Sequence, residues 1–315
     1  MAHPRKVGLI VGREWSMPPA LMKEINERDQ GVICDIPKIG LPTGAPSLDG
    51  VIGYDVLVDR ISHEVGMYRA FLKHAVMRGT KVVNNPFMWS ADDKFFGATL
   101  AESLGVRSPK TVLLPNREYV PGIKHDESLR NLVFPLDWKA VVAHVGMPCI
   151  LKDAHGGGWK EVYVCRTMDE LIQNYNTSGL LTMIAQEFIE WDQFVRCMCI
   201  GQQEILPMQY DPKARQYLVS DTFLTADLRK RIVGDARTLN KALGYDMNSM
   251  EFAVRDGIPY AIDFMNCAPD MDIHSLTPTY FAWTIQAMAD MLIKRAKTPV
   301  KTPVSWRGLL GGTAK

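Results

Sequence analysis

The 315-residue sequence contains no CxxC pair, no long apolar run and no excess of either charge, and each absence removes a class of function. No stretch approaches the ~18–20 apolar residues that a bilayer-spanning helix needs. The first apolar run, Val7-Gly-Leu-Ile-Val11, follows a basic flank but stops at Gly12-Arg13-Glu14. It is too short for a signal-peptide core and reads as a buried strand. The 36 Lys+Arg against 35 Asp+Glu leave a formal net charge of +1. That balance carries neither a nucleic-acid nor a membrane-surface footprint, since both partners ordinarily require a basic excess. The six cysteines (Cys34, Cys149, Cys165, Cys197, Cys199 and Cys267) lie in apolar, strand-like stretches without zinc-type spacing. Cys197-Met-Cys199 puts two thiols on one face of a strand, but no His or Cys clusters with them. Buried, reduced thiols of a cytoplasmic protein are expected. The loop Gly12-Arg13-Glu14-Trp15 lacks the further glycines of a dinucleotide fingerprint.

What is present describes a globular chain: 47% hydrophobic and 23% charged residues, close to the averages for soluble proteins. The length suits roughly two domains of ~150 residues. From residue 5 to about 90, strands at Val7–Val11, Val32–Ile36, Val51–Asp59 and Lys81–Asn84 interleave with helices at Pro18–Arg28 and Val65–Arg78. That alternation predicts a parallel sheet with crossover helices. A helix is expected over Ala91–Leu104 with Ser90 as its N-cap, then a strand at Pro109–Leu114 and a polar connection over Pro115–Pro135. Further helices are expected at Asp137–His144 and Met168–Tyr175, with strands at Pro148–Asp153, Val162–Cys165 and Thr182–Ile189. Beyond Phe194 the pattern is strand-rich, interrupted by a helix at Ala226–Leu243. Asp256-Gly257 between Met250–Val254 and Tyr260–Met265 is a hairpin signal. A closing helix at Tyr280–Lys297 precedes a frayed tail after Thr298.

Three features carry chemistry. Lys152 ends an apolar strand and is followed by His155-Gly-Gly-Gly158, whose glycines let backbone N–H groups cradle phosphate oxygens. A plain hairpin turn has the same composition, and the Gly-Lys-Ser/Thr of a Walker loop is missing. Gln186-Glu187-Phe188-Ile189 is an apolar strand end, followed by Glu190-Trp191-Asp192. Glu251 and Asp263 lie in apolar strands either side of the hairpin, where carboxylates ~5 Å apart repel unless a cation lies between them. With the carbonyl of Asn266 they would suit Mg²⁺; a solvated acidic pair is the alternative.

In this order, the motifs resemble the ATP-grasp superfamily, which includes glutathione synthetase, D-alanine–D-alanine ligase and RimK-type ligases. The resemblance runs from about Asn84 to Asp272. It comprises Asp93-Lys94 before Gly105-Val-Arg-Ser-Pro109, Ile150-Leu-Lys152 with its glycine loop, and Gln186-Glu-Phe-Ile189. Asp192 with Arg196 follows, then Glu251, Asp263 and Asn266. It implies an α/β fold in three segments: an N-terminal Rossmann-like unit (1–108), a small α+β lid lobe (109–190) and a larger α+β lobe with the metal site (191–315). It further implies that Lys94 and Lys152 contact ATP phosphates under a lid of Gly156, Gly157 and Gly158. Adenine would be held by Glu187 and the backbone of Phe188 and Ile189 beside Gln186, and the ribose by Asp192. Arg196 would act with Lys152 on the transferred phosphoryl group, and Glu251, Asp263 and Asn266 would hold Mg²⁺ or Mn²⁺.

Two departures stand out. Asp263-Phe-Met-Asn266 has one residue more than the family's acid-x-Asn, which calls for a bulge or an early strand end. Asp270 and Asp272 replace the small, glycine-containing turn that receives a carboxylate in D-alanine-type ligases, and predict a cationic amine as acceptor. The expected reaction is ADP-forming ligation of a small-molecule or peptide carboxylate to an amine through an acyl phosphate. A kinase of the same fold and an inactive nucleotide-binding protein are the alternatives. No nucleic-acid or membrane partner is expected, and a homodimer is compatible with the sequence.

Overall fold

The computed structural model describes residues 3–40, 52–90 and 92–299; Val51, Ala91 and the expected tail from 300 onward lie outside them. The chain divides into two compact units, each discontinuous in sequence. The first holds 1–91, 195–250 and 266–315, and the second holds 92–194 and 251–265.

In the first unit, β1 (Arg5–Ile10) pairs in parallel with β2 (Val32–Asp35) and β3 (Val56–Asp59), and β3 with β4 (Lys81–Val83). The order β2-β1-β3-β4 is the expected parallel sheet. Helices α1 (Met17–Glu27) and α2 (Gly66–Met77) make the crossovers. Prolines in the first turn of α1 have no N–H to leave unpaired. Met17, Leu21 and Ile25, four residues apart, form its buried face. Burying such side chains contributes about 1.5–3 kcal/mol each.

A short α3 (Pro86–Trp89) follows, and α4 runs Lys94–Ser103. The expected start at Ala91 with Ser90 as cap is corrected. Asp93 is the cap, accepting from the backbone N of Phe95 and Phe96 at 2.9 and 2.7 Å. The Ser90 hydroxyl instead donates back to the Pro86 carbonyl. In the second unit an antiparallel sheet has the order β5-β8-β6-β7. Its strands are β5 (Thr111–Leu113), β6 (Cys149–Asp153), β7 (Val162–Cys165) and β8 (Met183–Glu187). The connection after β5 contains one helical turn, α5 (His125–Ser128), and then α6 (Trp138–Val145); α7 (Met168–Asn176) follows β7.

The third sheet has the order β11-β10-β9-β12-β13. Its strands are β9 (Gln193–Ile200), β10 (Glu204–Asp211), β11 (Gln216–Leu218), β12 (Met247–Arg255) and β13 (Ile258–Asn266). Asp256 and Gly257 both have positive φ, 53° and 70°, the backbone that a two-residue I′ hairpin demands. Helix α8 (Ala226–Leu243) is capped by Thr225 and ends at Gly244, φ 69°. Helix α9 spans Ile273–Lys297 and breaks at Thr277 (φ 67°) before Pro278, which has no N–H to offer the preceding turn. The expected start at Tyr280 lies just past that break.

Candidate active site

Lys94, the first residue of α4, is bound twice to the glycine loop: its backbone N donates to the Ala154 carbonyl at 2.9 Å and its ammonium to the Gly156 carbonyl. The same Nζ is 4.0 Å from Asp263 Oδ2. Lys152 lies on β6 between β7 and β8, opposite Val162 and Ile184. It is only 7% exposed, and its ammonium donates to the Ile262 carbonyl at 3.0 Å. Burial lowers its pKa below the ordinary lysine value; Asp263 opposes that, Lys94 adds to it and Glu251 opposes it. Two carboxylates and a second lysine therefore act on one buried ammonium.

The glycines of the loop differ in what they require. A Cβ on Gly156 would come within 3.0 Å of Asp153 Cβ, whereas one on Gly157 would meet nothing within 4 Å. Gly158 alone of the three has positive φ, 66°. Gln186 is buried and donates to Thr111 Oγ1 at 2.9 Å. Glu187 ends β8. Its N donates to the Lys110 carbonyl at 2.8 Å, and its Oε2 accepts from the Lys110 N at 3.3 Å. Ile189 is buried, and the Phe188 ring lies 5.7 Å from that of Trp191. Asp192 Oδ2 accepts from the Asp256 N at 2.8 Å.

Sequence reasoning missed Asp92 in this unit. Its Oδ2 is buried without a hydrogen-bond partner. Burial, opposed by Lys94 and reinforced by Asp93, pushes its carboxyl up to about 7. Its place beside Asp93-Lys94 was the available signal. Also in this unit, the buried positions of β13 alternate at Pro259 and Ala261, then slip by one to Phe264, and the strand ends at Asn266.

The remaining candidates fall in the first unit. Asn266 accepts through Oδ1 from the Ala268 N at 3.2 Å and donates to Ser249 Oγ at 3.1 Å. The Arg196 guanidinium lies 4.0 Å from the centre of the Tyr210 ring, within cation–π range. Asp270 is engaged by the Asp272 N at 3.0 Å and by the Ser275 hydroxyl. Asp272 Oδ1 accepts from Ser16 Oγ (2.6 Å), Ser16 N (3.0 Å) and Met17 N (3.2 Å), and its Oδ2 from Trp15 N (3.3 Å). Both acids thus serve turns and a helix start. Sequence reasoning also missed the buried pair of Arg60 and Glu14, with side-chain exposures of 2% and 11%. Arg60 also donates to the Pro269 carbonyl, and Glu14 accepts from the Met271 N at 3.0 Å. No local pattern announces a pair 46 residues apart.

Among the described residues no group of three or more His, Cys, Asp or Glu side chains forms a ready metal cage. Glu251 and Asp263, both acting on Lys152, nonetheless fit the one or two hard carboxylates that Mg²⁺ takes from a protein when phosphates and water complete its shell. Among the described residues no helix is long and apolar enough to cross a membrane.

No family model matches the chain. A D-alanine–D-alanine ligase of Polynucleobacter asymbioticus is 30% identical over 164 residues, 45% of this chain and 48% of that protein. The matched stretch thus spans about half the length of the curated relatives. Among solved structures, the VanG D-Ala:D-Ser ligase of Enterococcus faecalis superposes with a TM-score of 0.64 at 16% identity, covering 93% of this chain and 99% of that one. A D-alanine–D-alanine ligase of Bacillus anthracis complexed with ATP gives 0.60 at 16% identity, covering 93% and 96%. These likenesses show a shared fold.

Proposed function

We propose that this chain, a member of the ATP-grasp superfamily, is an ADP-forming ligase that joins a carboxylate to an amine through an acyl phosphate. One observation carries the reading: two lysines, a glycine loop and the Asp263 carboxylate converge within one unit. Lys94 bridges the Gly156 carbonyl and Asp263, while Lys152 holds the neighbouring Ile262 carbonyl. Two cations beside loop N–H groups suit a chain of phosphates.

In this reading Lys94 and Lys152 bind the phosphates, and the loop from Gly156 to Gly158 closes over them and excludes water. Glu187, with the backbone of Phe188 and Ile189 beside Gln186, holds the adenine, and Asp192 the ribose. Glu251 and Asp263, both in that unit, would hold Mg²⁺. The bound ion would neutralise charge on the β- and γ-phosphates. A phosphate bound there would oppose the lowering of the Lys152 pKa by burial, since a nearby anion favours the ammonium form. Catalysis is by positioning and electrostatics, without a nucleophilic side chain. Five buried thiols support a cytoplasmic setting.

The test is ATP-dependent phosphate release, screened across amino acids and small carboxylates singly and in pairs. Phosphate release together with a condensed product supports the ligase. ADP with a phosphorylated acceptor and no free phosphate would replace it with a kinase.

A further inference from the structure

Arg255, the last residue of β12, has no part in the chemistry above, yet its guanidinium is engaged by both Glu187 and Tyr260. Its Nη1 and Nη2 donate to Glu187 Oε1 at 3.4 and 3.3 Å. Nη2 also donates to the Tyr260 hydroxyl at 3.2 Å, and the guanidinium lies 5.0 Å from the Tyr260 ring centre. From the other side the Lys110 N donates to Glu187 Oε2. The Glu187 carboxylate is therefore held at both oxygens. The strap that follows it is tied to the same hairpin, by Asp192 N to the Val254 carbonyl at 2.8 Å and by Asp256 N to Asp192 Oδ2 at 2.8 Å.

The pair is half-buried, with side-chain exposures of 34% and 22%, and a lysine would supply the same charge without the fork. Here both terminal nitrogens of the guanidinium meet Glu187 Oε1, Nη2 is shared with the Tyr260 hydroxyl, and the Lys110 N holds Oε2, so the carboxylate is restrained from two sides. An ionised carboxylate only accepts hydrogen bonds. Adenine presents an amino donor at its 6-position, whereas guanine presents a carbonyl acceptor. A fixed acceptor therefore favours one purine and leaves the other facing an unpaired, repelling oxygen.

Resting on the nucleotide role proposed for Glu187, we propose that Arg255 is the positioning residue for purine choice. It holds the Glu187 carboxylate as an acceptor for the adenine amino group and so sets the preference for ATP over GTP. The experiment measures binding of ATPγS and GTPγS to the full chain by calorimetry, for wild type, R255A, R255K, E187Q and E187Q/R255A. The expected result is a wild-type preference for ATPγS of about tenfold or more. R255A should lose most of it through weaker ATPγS binding, and R255K should recover only part. In the E187Q background, R255A should change the preference by less than about twofold, because the two residues act as one unit. Equal weakening of both nucleotides by R255A would overturn the inference and leave Arg255 a structural tie. So would an R255A effect on preference as large in E187Q as in wild type. Nucleotide binding without phosphate release would sink the ligase reading alone. A folded wild type that binds neither nucleotide would overturn the nucleotide role of Glu187 and this inference with it.

Discussion

Replacing Asp272 separates a carboxylate that meets a substrate from one that holds the fold. Its oxygens take three backbone N–H groups at the start of α1 and the Ser16 hydroxyl, at 2.6–3.3 Å. Although Asp272 occupies the N-cap position of α9, it makes no side-chain cap bond there; its carboxylate is spent on the other helix. Losing a cap costs about 0.5–2 kcal/mol, and a charge-assisted hydrogen bond contributes about 1.5–3 kcal/mol. Water reaches the exposed Trp15 end and makes good part of the loss. Asp272→Ala should therefore destabilise the chain by about 2–3 kcal/mol, and Asp272→Asn by about half as much, since the amide keeps one neutral acceptor. Burial raises the Asp272 carboxyl, but the bonds from Ser16, Met17 and Trp15 outweigh it and leave the pKa below the ordinary 3.8. A lowered folded-state pKa gives stability that is complete above the unfolded value and lost as pH falls through the folded one. The gap in urea midpoint between wild type and Asp272→Ala, followed by circular dichroism, should therefore be constant from pH 5 to 7 and narrow below about 3.8. An unchanged midpoint in Asp272→Asn, with a several-fold rise in KM for the amine found by the phosphate-release screen, would refute this reasoning and return the carboxylate to the substrate.

Asp263→Asn and Glu251→Gln should each abolish phosphate release in a chain with wild-type circular dichroism; near-normal release would remove that residue from the metal site. Gly158→Val should raise the KM for ATP or lower kcat more than Gly157→Val does, because only Gly158 has the positive φ that a β-branched residue resists. Equal kinetics in the two variants would leave the loop without a conformational role. Asn84→Ala should cost about 3–5 kcal/mol in urea denaturation. Its buried amide donates to the Met247 and Cys267 carbonyls at 2.6 and 3.0 Å and accepts from the Asp246 and Met247 N at 2.7 and 2.9 Å. A loss under 1 kcal/mol would mean that water replaces the amide.

The parts of the fold that are local in sequence could be read from it. Strands buried on both faces are short apolar runs, which is why β3 and β4 stand out, and Asp256-Gly257 announces its hairpin through a backbone few other residues adopt. The start of α4 was misplaced because Ser90 and Asp93 are both good caps, and only the Pro86 carbonyl decides between them by taking the Ser90 hydroxyl. The candidate nucleotide site was readable as an order of motifs, but its clamps were not. Arg255 meets Glu187 across 68 residues of chain, and an arginine ending a strand looks like any solvated charge. Asp270 and Asp272 show the deeper limit. A helix N-terminus and an ammonium both present positive charge to a carboxylate, so a pair of acids in a turn specifies the sign of its partner without saying which partner it is. Asp272 meets Ser16 and Met17, 256 and 255 residues away, and separations of that kind enter only once the chain has folded.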